Sequence, residues 1–276
     1  MYSRVYVEIT NICNRSCSFC HGTSRTPRAM TVSEFQGVCR SLVGVTEYIY
    51  LHVMGEPLTH PNLAELIRCA TDMGFKVAIT TNGTLLAKRG DELLESGLYK
   101  INISLHSTED SDDGEYLSYI TDCINFADRS SKAGILTVLR LWNRGGKDMH
   151  NEETLRLLRR RFAEPWSEGA RGARLRHRLH LEYGDLFGWP DIDSPDLGED
   201  VFCHGLGDHF GILSDGSVIP CCLDSDGAVT LGNIYAEDVR DILASQRAVS
   251  IKDGFKNKRA AEELCKRCPY ARRFKI

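Results

Sequence analysis

The sequence lacks the features that would send a chain into or across a membrane. The first residues, MYSRVYVEIT, have no basic region, apolar run or small-residue cleavage site of a secretion signal. No apolar stretch is long enough to span a bilayer. Neither sign of charge dominates: the net charge is −4, which gives no case for nucleic acid or an anionic membrane as partner. Internal repeats and low-complexity tracts are also missing. These absences point to a cytoplasmic globular protein. At 276 residues the chain has room for one large α/β domain with a small annex.

Cysteine, by contrast, is abundant. Eleven cysteines are too many for a cytoplasmic chain unless some bind metal, because disulfides do not persist there. They fall unevenly. Three lie between Cys13 and Cys20, three between Cys203 and Cys222, and two at Cys265 and Cys268. Cys39, Cys69 and Cys123 stand alone within helical patterns and read as packing thiols.

The first two-thirds of the chain alternate β-rich runs with helical patterns. Strands are expected at Arg4–Ile9, Tyr48–His52, Lys76–Thr80, Lys100–Leu105, Leu136–Leu141 and Arg178–Glu182, with helices near Thr31–Leu42, Asn62–Met73, Leu85–Ser96, Tyr116–Lys132 and Glu152–Phe162. Such alternation predicts a parallel sheet with right-handed crossovers. Six units predict a partial (β/α)6 barrel of the TIM type, with its chemistry at the carboxyl ends of the strands. Residues 184–202, rich in Gly, Pro and Asp, read as a linker between a barrel over 1–183 and a tail over 203–276. In the tail, Phe210–Leu213 and Ser217–Pro220 flank a hairpin turn, and helices are expected over Ala236–Gln246 and from Asn257 towards Leu264. A tail this small needs a staple, which its cysteines can supply. The arginine-rich stretch from Arg156 to Arg178 reads as a solvated helix face and loop, with a docking strip for an acidic peptide or anionic substrate as the sharper reading.

CNRSCSFC places Cys13, Cys17 and Cys20 in one loop directly after the first strand. Three thiolates are one ligand short of a closed site, and an open position separates a catalytic metal site from a structural one. Spacing alone leaves zinc open as well as iron–sulfur. The C-x3-C-x2-C pattern, with Phe19 before the last cysteine, resembles the signature of the radical S-adenosylmethionine (SAM) superfamily. The resemblance implies that these cysteines bind a [4Fe–4S] cluster whose open iron chelates SAM. One electron then breaks a sulfonium bond, and a 5′-deoxyadenosyl radical takes a hydrogen atom from substrate. Further motifs follow strand by strand. Met54-Gly55-Glu56-Pro57 resembles the superfamily's GGEP motif, with Met54 in place of the first glycine. Thr80-Thr81-Asn82-Gly83 is similar to a turn found after the third strand, and Ser104, His106 and Arg140 fall where the family meets SAM. By resemblance, Phe19, Gly55, Glu56, Asn82, Ser104, His106 and Arg140 are the cofactor-binding residues. Read singly, each of these motifs is equally an ordinary turn, loop histidine or ion-pair partner.

The tail cysteines Cys203, Cys221, Cys265 and Cys268 suffice for a complete iron–sulfur or zinc site. Their spacing resembles the SPASM/Twitch extension of radical SAM enzymes, closest to the 2-deoxy-scyllo-inosamine dehydrogenase type. That likeness implies one auxiliary [4Fe–4S] cluster and a small β-hairpin/helix domain. Cys222 is extra: a packing thiol, a substitute ligand for Cys221, or a hydrogen-atom donor. The expected reaction is an oxidative modification of a peptide or protein, with dehydrogenation of a small carbohydrate-like alcohol or redox-neutral epimerisation through Cys222 as alternatives. A non-enzymatic zinc or redox-sensing protein is the reading from another class. Relatives with this tail often carry an N-terminal leader-recognition domain; with the first strand so early, none is expected here, and a peptide substrate would then need a separate recognition protein or none. A flavodoxin- or ferredoxin-type reductant and an anaerobic setting are implied.

Overall fold

The computed structural model describes residues 1–109, 111–146 and 149–274. The chain runs β1 (Arg4–Val7), α1 (Val32–Leu42), β2 (Tyr48–Tyr50), α2 (Leu63–Asp72), β3 (Lys76–Thr81), α3 (Leu86–Leu94), β4 (Lys100–Ser104), α4 (Asp113–Lys132), β5 (Leu136–Arg144) and α5 (Asn151–Arg161). A hairpin of β6 (Ser167–Gly169) and β7 (Gly172–Arg176) leads into β8 (Leu179–Asp185). Strand β8 takes in Gly184 and Asp185, the first two positions of the expected linker. Beyond residues 186–208 come β9 (His209–Ile212), β10 (Ser217–Ile219), β11 (Gly232–Asn233), α6 (Val239–Ala244), α7 (Gln246–Lys256) and α8 (Glu263–Lys266). The expected α/β architecture is present. Strands β1, β2, β3, β4, β5 and β8 pair in parallel in that order, as an unclosed barrel. No described helix is long and apolar enough to cross a membrane.

Local sequence explains the helices. Thr31 and Glu34 form a reciprocal capping box on α1, and Asp112 accepts from the Gly114 and Glu115 amides at the start of α4. The α2 residues Leu63, Leu66, Ile67 and Ala70 form one fully buried stripe. Cys39 and Cys123 are buried packing thiols, and Cys69 packs against the same core.

The two faces of the sheet differ. One parity is apolar and packs under the helices: Val5 and Val7, Ile49, Val77 and Ile79, Ile101 and Ile103, Leu139 and Leu141, Leu179 and Leu181. The other carries Arg4, Tyr6, Tyr50, Lys100, Asn102, Arg140 and Glu182, which line the barrel lumen. A parallel sheet buried on both faces for stability alone reads as continuous apolar runs. This lumen carries polar and aromatic side chains beside the buried Ala78 and Val138, so it is not a second purely apolar core.

The structure departs from expectation in three places. The hairpin β6–β7 occupies ground read as helix face and loop, and adds an antiparallel edge to β8. Within the arginine-rich stretch, Arg161 and Arg176 both reach the buried Asp128 carboxylate, tying α4 to α5 and β7. The helix expected from Asn257 is absent. Instead α7 ends at Lys256, Lys258 takes a left-handed backbone (φ 59°), and residues 258–260 pair back to Glu199 and Val201. The helix expected over Ala236–Gln246 breaks at Ser245, whose side chain caps α7 by accepting from the Ala248 amide. The tail is joined by more than cysteines: β9 pairs in parallel with β1, so the hairpin β9–β10 continues the barrel sheet.

Burial pushes the Asp128 carboxyl up, but hydrogen bonds from Lys132 and Arg176 and the charges of Arg176 and Arg161 outweigh it and hold it below its ordinary 3.8. A lowered folded value gives stability that is present above 3.8 and lost as pH falls through the folded value. Asp128→Asn is expected to cost about 1–3 kcal/mol at pH 7. Urea midpoints at neutral pH and at stepwise lower pH check this, the difference between the two proteins narrowing as pH falls below 3.8.

Candidate active site

The site is organised around Glu8, which follows β1 with no solvent exposure. Its carboxylate accepts two hydrogen bonds from Arg25 (2.8 and 2.6 Å), one from the Met54 amide (3.1 Å), and one each from the amide and hydroxyl of Ser214 (3.1 and 3.0 Å). One side chain thus joins the end of β1, the cysteine loop, the loop after β2 and the end of β9. The sequence reading included Glu8 in the first strand and missed this role. The available signal was an acid at the lumen parity of an otherwise apolar strand end.

The cysteine loop is cinched at its base. The Asn11 amide donates to the Arg28 carbonyl, the Met30 amide to the Ile9 carbonyl, and the Asn11 side chain bridges Thr26 and Arg28. Cys13 and Cys20 are exposed and Cys17 is half-buried; all are free thiols. Asn82 after β3 reaches the Cys13 sulfur (3.9 Å) and the Asn14 side chain (2.9 Å). The Cys17 sulfur lies 3.7 Å from the Ser107 carbonyl. Burial first raises the pKa of both Cys13 and Cys17; the charges of Glu56 and Cys20 add to it at Cys13, and those of Cys20 and Cys13 at Cys17. Thiols whose ionisation is disfavoured in this way suit a site completed by a cationic group.

The other expected residues, Arg140 apart, lie round this loop. Gly55 has φ +76°, and a side chain there would strike the Thr10 carbonyl and the Asn11 backbone. The Glu56 amide donates to the Ile12 carbonyl. The buried Glu56 carboxylate accepts from the Leu58 amide (3.0 Å), the Thr81 hydroxyl (2.7 Å) and the Asn82 amide (2.6 Å), so it braces the loop after β2 against the end of β3. Burial raises its pKa against those bonds. Ser104 ends β4, its carbonyl accepting from Ser107 and Tyr119. His106 packs on Phe19 (4.9 Å), and burial lowers its pKa to about 4, so the ring is neutral near pH 7. Arg140 points into the lumen, 3.3 Å from Glu182 and over the Trp142 ring at 4.3 Å.

A second group of thiols lines a small apolar chamber. Cys203, Cys221, Cys265 and Cys268 surround it with Pro190, Pro220, Phe255 and Leu264. Burial raises Cys221 well above the ordinary thiol value, and Cys222, Cys203 and Cys265 add to the effect. Four thiols in a water-poor shell suit an iron–sulfur cluster held entirely by protein. Among the described residues, no three His, Cys, Asp or Glu side chains converge as they would round a single ion. In a cubane each thiolate meets a different iron, which places the sulfurs further apart. On one side a cleft of about 550 Å³ reaches Cys203 past Tyr2, Phe202 and Lys252. On the other, the Cys222 thiol lies near the Tyr6 hydroxyl and adds to the effect of burial in raising its pKa, at the lumen wall where Tyr6 meets Tyr50 and His52. Between the two cysteine groups the linker carries Trp189, which donates to the Phe19 carbonyl (3.3 Å), and Phe187, which packs on Tyr270 (5.0 Å).

Residues 7–164 match the family described as the Radical SAM superfamily, and residues 203–269 match SPASM, described as an iron-sulfur cluster-binding domain. A relative from Methanocella arvoryzae named "Probable GTP 3',8-cyclase" is 37% identical over 125 residues, covering 44% of this chain and 38% of that protein. The match thus spans well under half the length of such curated relatives. Among solved structures, BtrN in complex with AdoMet and 2-DOIA aligns with a TM-score of 0.62 at 20% identity, covering 97% of this chain and 93% of that one. Streptococcus suis SuiB bound to precursor peptide SuiA aligns with a TM-score of 0.63 at 14% identity, covering 98% and 71%. At these identities the likeness is one of fold.

Replacing Glu8 by Gln removes the charge opposite Arg25 and turns one acceptor into a donor facing the Met54 or Ser214 amide. The expected cost is about 3–5 kcal/mol, the scale for breaking a buried ion pair. A lowered denaturation midpoint, with less iron retained after anaerobic reconstitution, checks it. An unchanged midpoint would sink the central role given to Glu8.

Proposed function

The chain belongs to the radical SAM superfamily, and we propose that it oxidises a bound substrate with the help of an auxiliary cluster. Cys13, Cys17 and Cys20 would hold the SAM-binding [4Fe–4S] cluster, and Cys203, Cys221, Cys265 and Cys268 the auxiliary one. When bound, the first cluster with SAM supplies a 5′-deoxyadenosyl radical for hydrogen abstraction, and the auxiliary cluster supplies an electron acceptor. The protein's own part is placement. Gly55 lets the loop after β2 approach the cysteine loop, Glu56 fixes it against Asn82, and Phe19 with His106 forms an apolar wall at the end of β4. Gly55, Glu56, Asn82, Ser104 and His106 are the residues we assign to the SAM side of the site.

The observation that supports the oxidative reading is the nearness of Cys222 to Tyr6, since Cys222 adjoins Cys221 of the four-thiol chamber and Tyr6 belongs to the lumen face of β1. A peptide or protein is the substrate class we adopt, supported by the likeness to SuiB with its precursor peptide. The near end-to-end overlap with BtrN supports a second reading, a small carbohydrate-like alcohol. A flavodoxin- or ferredoxin-type protein would supply electrons.

Cys265→Ala is expected to lower iron from about eight to about four per chain and to abolish product while unproductive SAM cleavage continues. Product at full rate from that variant would remove the auxiliary cluster from the reaction. The same nearness of Cys222 to Tyr6 also suits hydrogen-atom return to a substrate radical. For the oxidative reading, product formed in deuterated water carries no deuterium at the abstracted position. Deuterium that appears there, and disappears in Cys222→Ala, would establish epimerisation instead.

A further inference from the structure

The lumen holds charge that the site described so far does not use. Strand parity points Arg4, Lys100, Arg140 and Glu182 inward, together with Tyr6, Tyr50 and Asn102. Arg4 is paired with Asp208 at 2.8 Å and Arg140 with Glu182 at 3.3 Å. Lys100 makes no hydrogen bond or ion pair with a described residue. Three cations therefore face two carboxylates. Burial, then the charge of Arg140, lowers the Lys100 pKa against the opposing pull of Glu182, which Arg140 already pairs.

Polar atoms beside them are also unmatched. The Asn102 side chain donates to the Thr80 hydroxyl (3.0 Å), which lies 3.2 Å from His52 Nε2. At the two ends of this chain, Asn102 Oδ1 and His52 Nδ1 are buried and have no partner. Asn102 itself is fully buried. Burial and the charges of Arg140 and Lys100 bring the His52 pKa down to about 3, so the ring is neutral and adds no further cation. Buried polar atoms without partners are rare, and like charges brought together in a low-dielectric space cost free energy. A ligand with the opposite charge and its own hydrogen-bonding groups relieves both.

We propose that Lys100, Arg140 and His52 form a subsite in the barrel lumen for the oxyanion end of the substrate, a carboxylate or phosphate. This deepens the oxidative reading and rests on it. SAM is a poor candidate for the same place. Lys100 opens β4 and Ser104 closes it, so the lysine Cα lies about 13 Å along the strand from the end where the cysteine loop sits. A substrate anchored at Lys100 extends from the floor of the lumen towards that end, with Tyr6 and Tyr50 along one wall. Arg140 is in register with Ser104 at the other end of β4, so it closes the subsite on the side that faces SAM.

The test is calorimetric titration of the anaerobically reconstituted holoenzyme, saturated with SAM, with inorganic phosphate in one arm and acetate in the other. At least one anion is expected to bind, and the tighter one tells which group the substrate carries. Lys100→Gln should weaken binding about tenfold or more, Lys100→Arg should restore it, and Lys88→Gln on the exposed face of α3 should leave it unchanged. Failure of both anions to bind, or equal weakening in Lys88→Gln, would overturn the subsite. So would a matching loss of SAM affinity in Lys100→Gln, which would assign the lysine to SAM. If wild-type protein binds no SAM, the radical SAM function itself fails, a result separate from the anion titration.

Discussion

A carboxylate taken out of water needs a full set of partners, and the way Glu8 finds them determines much of this molecule. Its oxygens take donors from the cysteine loop, the loop after β2 and the start of the β9–β10 turn. None of these segments is close to the others in sequence; Ser214 is 206 positions from Glu8. The three thiols after β1 therefore acquire their geometry from contacts supplied by the far end of the chain. The parallel pairing of β9 with β1 is what brings that end into reach. The tail is thus part of the wall of the site, in addition to carrying cysteines of its own.

The division between the two sheet faces governs the rest. Apolar side chains on the outer parity pack beneath α1 to α5 and supply the hydrophobic stabilisation. That leaves the inner parity free to carry groups that are costly to bury. Arg140 reaches across the barrel from β5 towards Tyr6 on β1, a proximity that only a curled sheet allows. The open side is spanned by the linker, whose Trp189 and Phe187 pack between the cysteine loop and the residues around Cys268.

Much of this was legible from residues close in sequence. The 3.6- and 2-residue periodicities mark the barrel strands and helices, and CNRSCSFC marks the first cysteine loop. What escaped has a shared cause: it depends on partners distant along the chain. Nothing near Glu8 announces Arg25, Met54 and Ser214 together. Tyr6 and Cys222 sit on opposite sides of the β1–β9 pairing, so their nearness appears only once that register is known. The β6–β7 hairpin was hidden because Ser167–Gly169 is wholly exposed and carries no apolar alternation, its pairing being set by β8. The misplaced tail helix has a local cause, the left-handed turn at Lys258, which that residue type does not signal.

The stretch Met54-Gly55-Glu56 bears on how such motifs should be read in other chains. What Glu8 uses at position 54 is a backbone amide, which any residue except proline supplies; the methionine side chain merely packs, 6% exposed. Position 55 is different, since any Cβ there collides with the backbone after β1. A search string that demands two glycines confuses a donor with a steric limit. Written physically, the pattern is a free first letter, an obligatory glycine, and an acid whose oxygens face the next strand's end. A query in that form keeps sequences that a literal spelling of the motif would discard.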